Sequence, residues 1–473
     1  MQPATVLSIR GGSAVSSSLS RYHRRANAMT SPPTRASVFR YLRYEVDDRK
    51  SELRCHYGLD DHVFEERITV GPGDWASPAV HEAARIVHML AGVSYYKAGA
   101  PPVIDLGAVP VRPGERRFLL DYYVNGLGEF AYRNSIDLDL RVVGGSDPAP
   151  RAAFAPSAGR PLIPFGGGID SIVTAETVRR ARACDPSLFV VSQAGQRFAA
   201  IEDAAAVTGL RVLRAERALD PQILRSDDFG FLNGHVPVTG ILSAIAVLAA
   251  TVYGNDAVVM SNERSASSGN VEVAGRMINH QYSKSDEFER AFRSLLRGAL
   301  DPPPEYFSLL RPWSELAVAA AFASLRGFHP VFRSCNRAFH IDPAQRLATW
   351  CGRCDKCCFI DLVLAPFLDA GELDAIFGGL EPLENVDLLH RFRTLTGLSS
   401  DTKPFECVGD VDECRGAVVL AAARRDRQGS VVLKTLVDEL GPVAGDTLAA
   451  TRLLQPGGAS NVPEPYATAR RLG

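Results

Sequence analysis

Lysine is scarce in this sequence of 473 residues, which has it only at positions 50, 97, 284, 356, 403 and 434. Arginine supplies the remaining positive charge, and 52 Lys plus Arg residues against 54 Asp plus Glu residues leave a formal net charge of −2. This balance disfavours a nucleic-acid partner, because nucleic-acid-binding surfaces are usually strongly basic. Three of the few lysines, Lys284, Lys356 and Lys403, lie in polar motifs and are considered for a functional role.

The sequence also lacks a secretory signal, since no apolar core of about 7–15 residues lies near its N-terminus. Residues 1–37 are rich in Ser and Arg and contain no Asp or Glu. This composition is typical of a disordered leader, of a transit peptide, and of an over-long gene start in which Met29 is the true initiator. We favour the disordered leader. The most apolar run, from Val236 to Val252, contains Pro237, so a buried core helix is predicted rather than a membrane span.

Nine cysteines without a secretory signal indicate a reducing, cytoplasmic compartment and favour metal binding or catalysis over disulfides. Three of them are spaced by two residues and a fourth lies upstream, which is a pattern able to form a tetrahedral thiolate site for Zn²⁺. The predicted ligands are Cys335, Cys351, Cys354 and Cys357, with Cys358 spare. We favour zinc; the alternatives are iron–sulfur ligation, reactive thiols acting as acid and base, and reduced structural cysteines.

Periodicity divides the chain into parts. Residues 38–150 contain alternating apolar and polar stretches at 39–46, 52–57 and 64–70 and a helix-like stretch at 79–90, which predict an α+β substrate-side domain. A connector rich in Pro, Ala and Gly, at 144–160, marks its end. Residues 151–358 alternate strands and helices, which predicts an α/β domain with a parallel sheet covered on both faces. Residues 359–473 are predicted to be mostly helical with a loose tail.

A glycine turn is the most informative stretch. The apolar strand at 162–165 runs into Gly166, Gly167 and Gly168, and Asp170 and Ser171 then open a predicted helix. Glycine lets the backbone approach an oxyanion, and the free N–H groups of a first helical turn favour negative charge. The turn is not a Walker A loop, because no lysine follows the glycines. The sequence therefore predicts a phosphate-binding loop, with an ordinary strand-to-helix turn as the alternative.

Two later strands also end in polar residues, at Ser192 and at Ser261. Because ligands bind outside the carboxyl ends of parallel strands, these residues and the glycine loop are expected to face one crevice. Arg264 and Lys284 are candidate clamps for pyrophosphate or UDP through charge-assisted hydrogen bonds, or else solvated surface residues.

The candidates for proton transfer are His235 and His280, which lie in distinctive polar motifs, and Glu406 and Cys407, which lie in a Lys-Pro-Phe-Glu-Cys turn. Groups of these types act as acids and bases when their pKa values lie near the working pH. Core packing is the alternative for the histidines, and a structural role at a helix end is the alternative for the turn.

The glycine loop resembles the PP-loop of the ATP pyrophosphatase superfamily, usually Ser-Gly-Gly-x-Asp-Ser, with Gly166 in place of the serine. The cysteine pattern resembles the tail of 7-cyano-7-deazaguanine synthases, where it holds structural zinc. A narrower resemblance, to the MurL-type epimerases, spans roughly residues 38 to 425. It is carried by the cysteine cluster and by the segments 125–134, 233–239, 260–267, 279–285 and 403–409.

The resemblance implies a PP-loop nucleotide-binding domain that binds ATP and Mg²⁺. It also implies inversion of the terminal L-Glu of UDP-MurNAc-L-Ala-L-Glu to D-Glu in peptidoglycan precursor synthesis, with release of AMP and pyrophosphate. Adenylation would make the Cα–H acidic enough to move, because it removes the carboxylate charge. The alternatives are another PP-loop ligase or amidating enzyme, such as a 7-cyano-7-deazaguanine synthase-like enzyme, and a regulatory protein that binds ATP without turning it over.

Overall fold

The computed structural model describes residues 35–181, 184–273, 275–340, 342–399, 401, 403–442, 446–458, 460–464 and 466. The predictions for the N-terminal leader and for Met29 lie outside the described residues. The strands are β1 Val38–Asp47, β2 Glu52–Leu59, β3 His62–Val70, β4 Val103–Asp105, β5 Arg141–Val143, β6 Ala152–Ala153, β7 Ser157–Pro164, β8 Ser187–Gln193, β9 Arg211–Ala218, β10 Asn255–Met260, β11 Val271–Val273, β12 Arg276–Ile278, β13 Leu300–Asp301 and β14 Glu305–Ser308.

The helices surround these strands and dominate the last third of the chain. They are α1 Pro78–Ala91, α2 Val93–Tyr96, α3 Glu115–Gly126, α4 Gly128–Asn134, α5 Ile169–Ala181, α6 Ala199–Thr208, α7 Pro221–Leu224, α8 Val238–Tyr253, α9 Asp286–Ala299, α10 Glu315–Ala323, α11 Asp355–Leu364, α12 Ala370–Phe377, α13 Leu389–Leu395, α14 Val411–Ala422, α15 Val431–Leu440 and α16 Thr447–Arg452. The prediction of a mostly helical C-terminal region is confirmed.

One ten-stranded sheet has the order β14-β10-β7-β8-β9-β3-β2-β1-β4-β5. The strands from β14 to β9 are parallel, β9, β3, β2 and β1 pair antiparallel, and β4 and β5 join parallel to β1. The chain is therefore an α/β protein with a mostly parallel central sheet, as predicted. The sheet contains strands from both of the predicted ranges 38–150 and 151–358, without a break between them. The connector at 144–160 contributes β6 and the start of β7. The domain boundaries stay predictions.

Helices cover both faces of the parallel half, as the alternation of strands and helices predicted. Successive side chains of β7 and β10 enter different cores, because residues alternate across a strand. Leu162 and Val258 belong to a core that includes α1 and α8, whereas Ile163 and Val259 belong to a core that includes α5, α10 and α11.

The helix α8 is apolar around its whole circumference and is almost entirely buried in the first core, so the prediction of a core helix is confirmed. Within the described ranges, no helix combines the length and apolar character needed to cross a bilayer.

The strands predicted at 39–46, 52–57 and 64–70 are confirmed as β1, β2 and β3, and the helix predicted at 79–90 is confirmed as α1. The start of α1 follows from local chemistry: Pro78 occupies the first turn, and Ser77 accepts a hydrogen bond from the backbone N–H of Val80.

Similar helix starts fix two polar segments. Ser285 accepts from the N–H of Phe288 and caps α9 directly after Lys284. Asp410 caps α14 in a capping box with Glu413, three residues after Cys407. Both segments therefore end at a defined helix start.

Candidate active site

A cleft of about 250 Å³ lies at the carboxyl ends of β7 and β10. The loop after β7 lines it with Gly166, Gly168, Asp170 and Ser171, while Met260, Ser261 and Asn262 line it from the loop after β10, and Lys284 also lines it. The two loops meet because β7 and β10 are parallel neighbours. Two of the three strand ends that were predicted to face one crevice therefore do so.

The glycine loop is shaped by tight contacts. Gly167 has φ +74°, and a Cβ there would lie 2.5 Å from the carbonyl oxygen of Ala200 in α6, so only glycine fits. The Ser171 hydroxyl donates to the Gly168 carbonyl over 3.1 Å and closes the turn at the start of α5. A Cβ at Gly166 would meet no atom within 4 Å, so the loop has room for the serine of the PP-loop pattern.

Two other predicted phosphate-binding residues, both within the described part of the chain, lie outside the lining of this cleft. The Arg197 guanidinium donates to the hydroxyl of Ser192 over 3.5 Å. Arg264 points toward the C-terminal segment, since its Nη1 lies 2.7 Å from where a Cβ on Gly457 would be.

Asp170, which lines the cleft, belongs to a cluster of three carboxylates: oxygen atoms of Asp170, Glu263 and Glu315 all lie within 4.8 Å of one another. Burial and the neighbouring Glu263 raise the pKa of Asp170 to about 7, and burial and Asp170 raise the pKa of Glu315. A divalent cation would relieve this repulsion, and oxygen donors of this kind fit Mg²⁺. The sequence interpretation missed both glutamates. Glu263 lies in the 260–267 segment, two residues after Ser261, but nothing in the sequence marks Glu315.

A second cluster of ionisable groups centres on Glu129, which lies in α4 and is buried. Its carboxylate is hydrogen-bonded to Nδ1 of His280, and Nδ1 of His235 lies 4.0 Å from the same oxygen. The two imidazole rings are stacked at an angle, with centroids 4.1 Å apart. The structure therefore brings together the two predicted histidines and adds Glu129, which stood unnoticed in the 125–134 motif.

Cys407 joins this cluster from the other side. Lys284 Nζ donates to Cys407 Sγ over 3.1 Å, and His280 is hydrogen-bonded to the same sulfur. Burial would raise the pKa of Cys407, but the charge of Lys284 and the hydrogen bond from His280 outweigh it and lower the pKa to about 6. The thiol is therefore mostly ionised near neutral pH.

The two histidines are shifted in opposite directions. Burial, and then the charge of His280, lower the pKa of His235 to about 4, so this ring is neutral at pH 7. Burial alone would also lower the pKa of His280, but its hydrogen bonds to Cys407 and Glu129 raise it to about 9. One neutral and one protonated imidazole at van der Waals distance provide an acceptor and a donor of protons at the same pH.

The turn that carries Cys407 is held by several segments. The side-chain amide of Asn270 donates to the Pro404 carbonyl over 2.9 Å, and its oxygen accepts from the backbone N–H of His280. On the opposite side, Lys356 Nζ donates to the Cys407 carbonyl. These contacts fix the distance between His280 and Cys407, which are far apart in sequence.

Glu406 points away from the histidines. Asn336 Nδ2 donates to its Oε1 over 2.8 Å, while its Oε2 is buried without a hydrogen-bond partner among the described residues. Burial and the nearby Asp355 raise the pKa of Glu406 to about 7. Its predicted role as an acid or base stays a prediction, and its position favours a link between the turn and the cysteine cluster.

The four predicted metal ligands meet in space, with the sulfur atoms of Cys335, Cys351, Cys354 and Cys357 all within 4.8 Å of one another. The Cys357 sulfur lies 3.4 Å from that of Cys354 and 3.6 Å from that of Cys351. Four thiolates bound to tetrahedral zinc at about 2.3 Å lie about 3.8 Å apart, so this cluster fits zinc.

A larger cleft, of about 720 Å³, adjoins the Glu129 cluster. Residues next to Glu129 and His280 line it, among them Gly128 and Asn279. Its walls carry two arginines, Arg276 and Arg290, and apolar and amide side chains from α3, α4 and the β11–β12 hairpin. Three carboxylates, those of Asp137, Asp286 and Glu287, also line it. The cleft is large enough for a ligand of several rings.

An α/β sheet with a glycine-loop cleft and an adjoining cluster of acid–base groups is an arrangement typical of an enzyme. The chain belongs to the MurL family: the MurL N-terminal domain matches residues 30–309 and the MurL C-terminal domain matches residues 331–451. The resemblance noted in the sequence is therefore confirmed.

Curated relatives span most of the chain. A UDP-N-acetyl-alpha-D-muramoyl-L-alanyl-L-glutamate epimerase of Salinispora tropica is 37% identical over 451 residues, which cover 92% of this chain and 96% of the relative. Proteins of the same name from Micromonospora sp. and Xanthomonas oryzae pv. oryzae are also 37% identical, covering 92% and 86% of this chain and 98% and 90% of those relatives. No solved structure matches the chain significantly.

Proposed function

We propose that this protein is an ATP-dependent epimerase that inverts the terminal L-Glu of UDP-MurNAc-L-Ala-L-Glu to D-Glu through an acyl-adenylate. The names of the curated relatives support the substrate and the inversion. The arrangement of the two residue clusters supports the use of ATP.

The observation that carries the proposal is the position of Lys284. This lysine lines the glycine-loop cleft, and its ammonium group also lies 3.1 Å from the Cys407 sulfur in the acid–base cluster. A substrate carboxylate bound beside Lys284 would therefore face a nucleotide on one side and proton-transfer groups on the other. An enzyme that activates a carboxylate and then moves the adjacent α-proton needs this adjacency.

The cleft supplies the groups that adenylation requires. The glycine loop and the first turn of α5 present backbone N–H groups to phosphate oxygens. The carboxylates of Asp170, Glu263 and Glu315 would hold Mg²⁺, which neutralises charge on the phosphates when bound. Lys284 would stabilise the negative charge that develops during attack of the substrate carboxylate on the α-phosphate.

Adenylation explains why an epimerase would consume ATP. The Cα–H next to a carboxylate is a very weak acid, because a second negative charge develops beside the first. Joining AMP to the carboxylate removes that charge. We assign proton transfer to His235, which is neutral, and His280, which is protonated, with Glu129 holding both in place.

The larger cleft would hold the UDP-sugar part of the substrate. It adjoins the Glu129 cluster, and its two arginines would contact a diphosphate after Arg290 leaves its ion pair with Asp286 and Arg276 its hydrogen bonds to Val124 and Asn125. The glutamyl end would then reach His235 and His280.

The test is one incubation of enzyme, Mg-ATP and UDP-MurNAc-L-Ala-L-Glu in D₂O. Substrate-dependent AMP together with deuterium at the glutamate Cα is the expected result. AMP without deuterium would indicate a ligase or amidating enzyme, and no AMP with any acceptor would indicate a protein that only binds nucleotide. Asp170→Ala is expected to abolish AMP release, whereas Asp203→Ala, at an exposed position of α6, should retain it.

A further inference from the structure

Cys407 has the surroundings of a nucleophile. Glu129 binds His280, His280 binds the sulfur of Cys407, and Lys284 lies 3.1 Å from that sulfur on another side. The sequence of contacts, carboxylate to imidazole to thiol, is the one by which unrelated enzymes orient an imidazole and activate a cysteine for attack on a carbonyl carbon.

We propose that Cys407 captures the activated glutamyl group, so that inversion takes place on an enzyme-bound thioester. This inference rests on the proposed adenylation. The Cys407 thiolate attacks the carbonyl carbon of the acyl-adenylate, a C–S bond forms, and the C–O bond to AMP breaks with its electron pair leaving on AMP. After inversion, water attacks the same carbon and gives a proton to whichever of the two imidazoles is then neutral. The C–S bond breaks with its electron pair leaving on Cys407 as the thiolate, and the glutamate is released as the free acid.

The position of Lys284 places Cys407 where the adenylate must form. The same lysine lines the phosphate cleft and contacts the sulfur, so the carbonyl carbon of an adenylate in the cleft lies near Cys407. Asn270 and Lys356 hold the Cys407 turn in this position, so the sulfur stays beside Lys284.

The contacts of the sulfur suit a nucleophile better than a base. Lys284 and His280 stabilise the thiolate and so lower its pKa. The basicity of the thiolate falls in direct proportion to this decrease in pKa. Thiolate nucleophilicity falls only about half as steeply with pKa. The same cations would stabilise the thiolate as a leaving group when the thioester is hydrolysed.

A thioester also keeps the Cα–H far more acidic than it is beside a free carboxylate. Sulfur donates its lone pair into a carbonyl less effectively than oxygen does, so the carbonyl accepts more of the charge that develops at Cα. Covalent capture further releases AMP before the proton moves, and it divides one difficult step into two easier ones. His235 and His280 remain beside the thioester for proton transfer, because their rings lie 4.1 Å apart next to Cys407.

The test separates release of pyrophosphate from release of AMP. Cys407→Ala should still give a burst of substrate-dependent pyrophosphate but lose catalysed AMP release, because the adenylate forms and is no longer captured. Cys414→Ala, at a buried position in α14 away from the cluster, is the matched control and should release both. The same measurement on wild-type protein alkylated at Cys407 replaces the variant if that variant does not fold.

Wild-type enzyme quenched in acid during its first turnover should carry the mass of the substrate less water on the peptide that contains Cys407, and hydroxylamine should release it. AMP release at the wild-type rate by Cys407→Ala, with deuterium exchange lost, would make the thiolate a base and overturn the inference. Failure of the wild-type protein to form AMP at all would instead reject the proposed function.

Discussion

At the scale of single residues, two adjacent glycines of the loop after β7 differ in how strongly the structure requires glycine. Gly167 adopts φ +74° and packs its Cα against α6, with the Ala200 carbonyl 2.5 Å from the place of a Cβ. Gly166 has open space where a Cβ would lie. Steric constraint is therefore concentrated on Gly167, although Gly166 is the position that departs from the PP-loop pattern.

We expect Gly167→Ala to lower the free energy of unfolding by about 1–3 kcal/mol, because alanine at this φ is strained and its Cβ overlaps α6. It should also abolish substrate-dependent AMP formation, since the loop must move to relieve the overlap. The matched change, Gly166→Ala, should leave the free energy of unfolding within about 0.5 kcal/mol of the wild type. Denaturant titration and an AMP assay measure both effects, and similar losses in the two variants would contradict this geometry.

At the scale of elements, the turn at 404–407 depends on the segments that carry the cysteine cluster. Asn336 follows the first cysteine and donates to Glu406, and Lys356 lies between the third and fourth cysteines and donates to the Cys407 carbonyl. A metal that joins these segments would thus hold the turn at 404–407 without touching substrate.

We expect the purified protein to contain near-stoichiometric zinc, and Cys357→Ser to lose it. Loss of the metal should shift the fluorescence of Trp350 to longer wavelength, because this buried ring adjoins Cys351, and should lower kcat as the turn loosens. The neighbouring change Cys358→Ser alters no predicted ligand and should retain zinc. Metal analysis and fluorescence give the result, and full zinc content in Cys357→Ser would exclude this ligand set.

The elements show what the sequence predicted and what it did not. Strands β1 to β3 and helix α8 were predicted because burial of one face, or of all faces, leaves a local pattern of apolar residues. Glu129 and His280 are in contact although 151 positions separate them in the sequence, and Lys284 and Cys407 are in contact across 123 positions. Such pairs depend on how elements pack, and no local pattern encodes them. Both histidines and the cysteine were nevertheless candidates, because they lie in distinctive polar motifs of the sequence.

At the scale of the whole molecule, the two halves of the sheet meet at one antiparallel junction, between β9 and β3. A buried ion pair sits there: Glu66 is fully buried, Arg217 is 12% exposed, and the guanidinium also donates to Ser94 Oγ over 2.9 Å. Glu66 lies in β3 and Arg217 in β9, so each half of the sheet contributes one charge of the pair. The N-terminal strands and the parallel strands should therefore lose stability together when the pair is broken.

We expect Glu66→Ala to lower the free energy of unfolding by about 3–5 kcal/mol, because it leaves the Arg217 charge buried without its partner. Hydrogen–deuterium exchange should accelerate in β2 and in β8 by similar factors, since the junction lies between these strands in the sheet. The control is Arg43→Ala, which removes an ion pair with Glu45 at positions 61% and 45% exposed and should cost no more than about 1 kcal/mol. Faster exchange confined to β2 in Glu66→Ala would show that the two halves open independently and that the junction does not couple them.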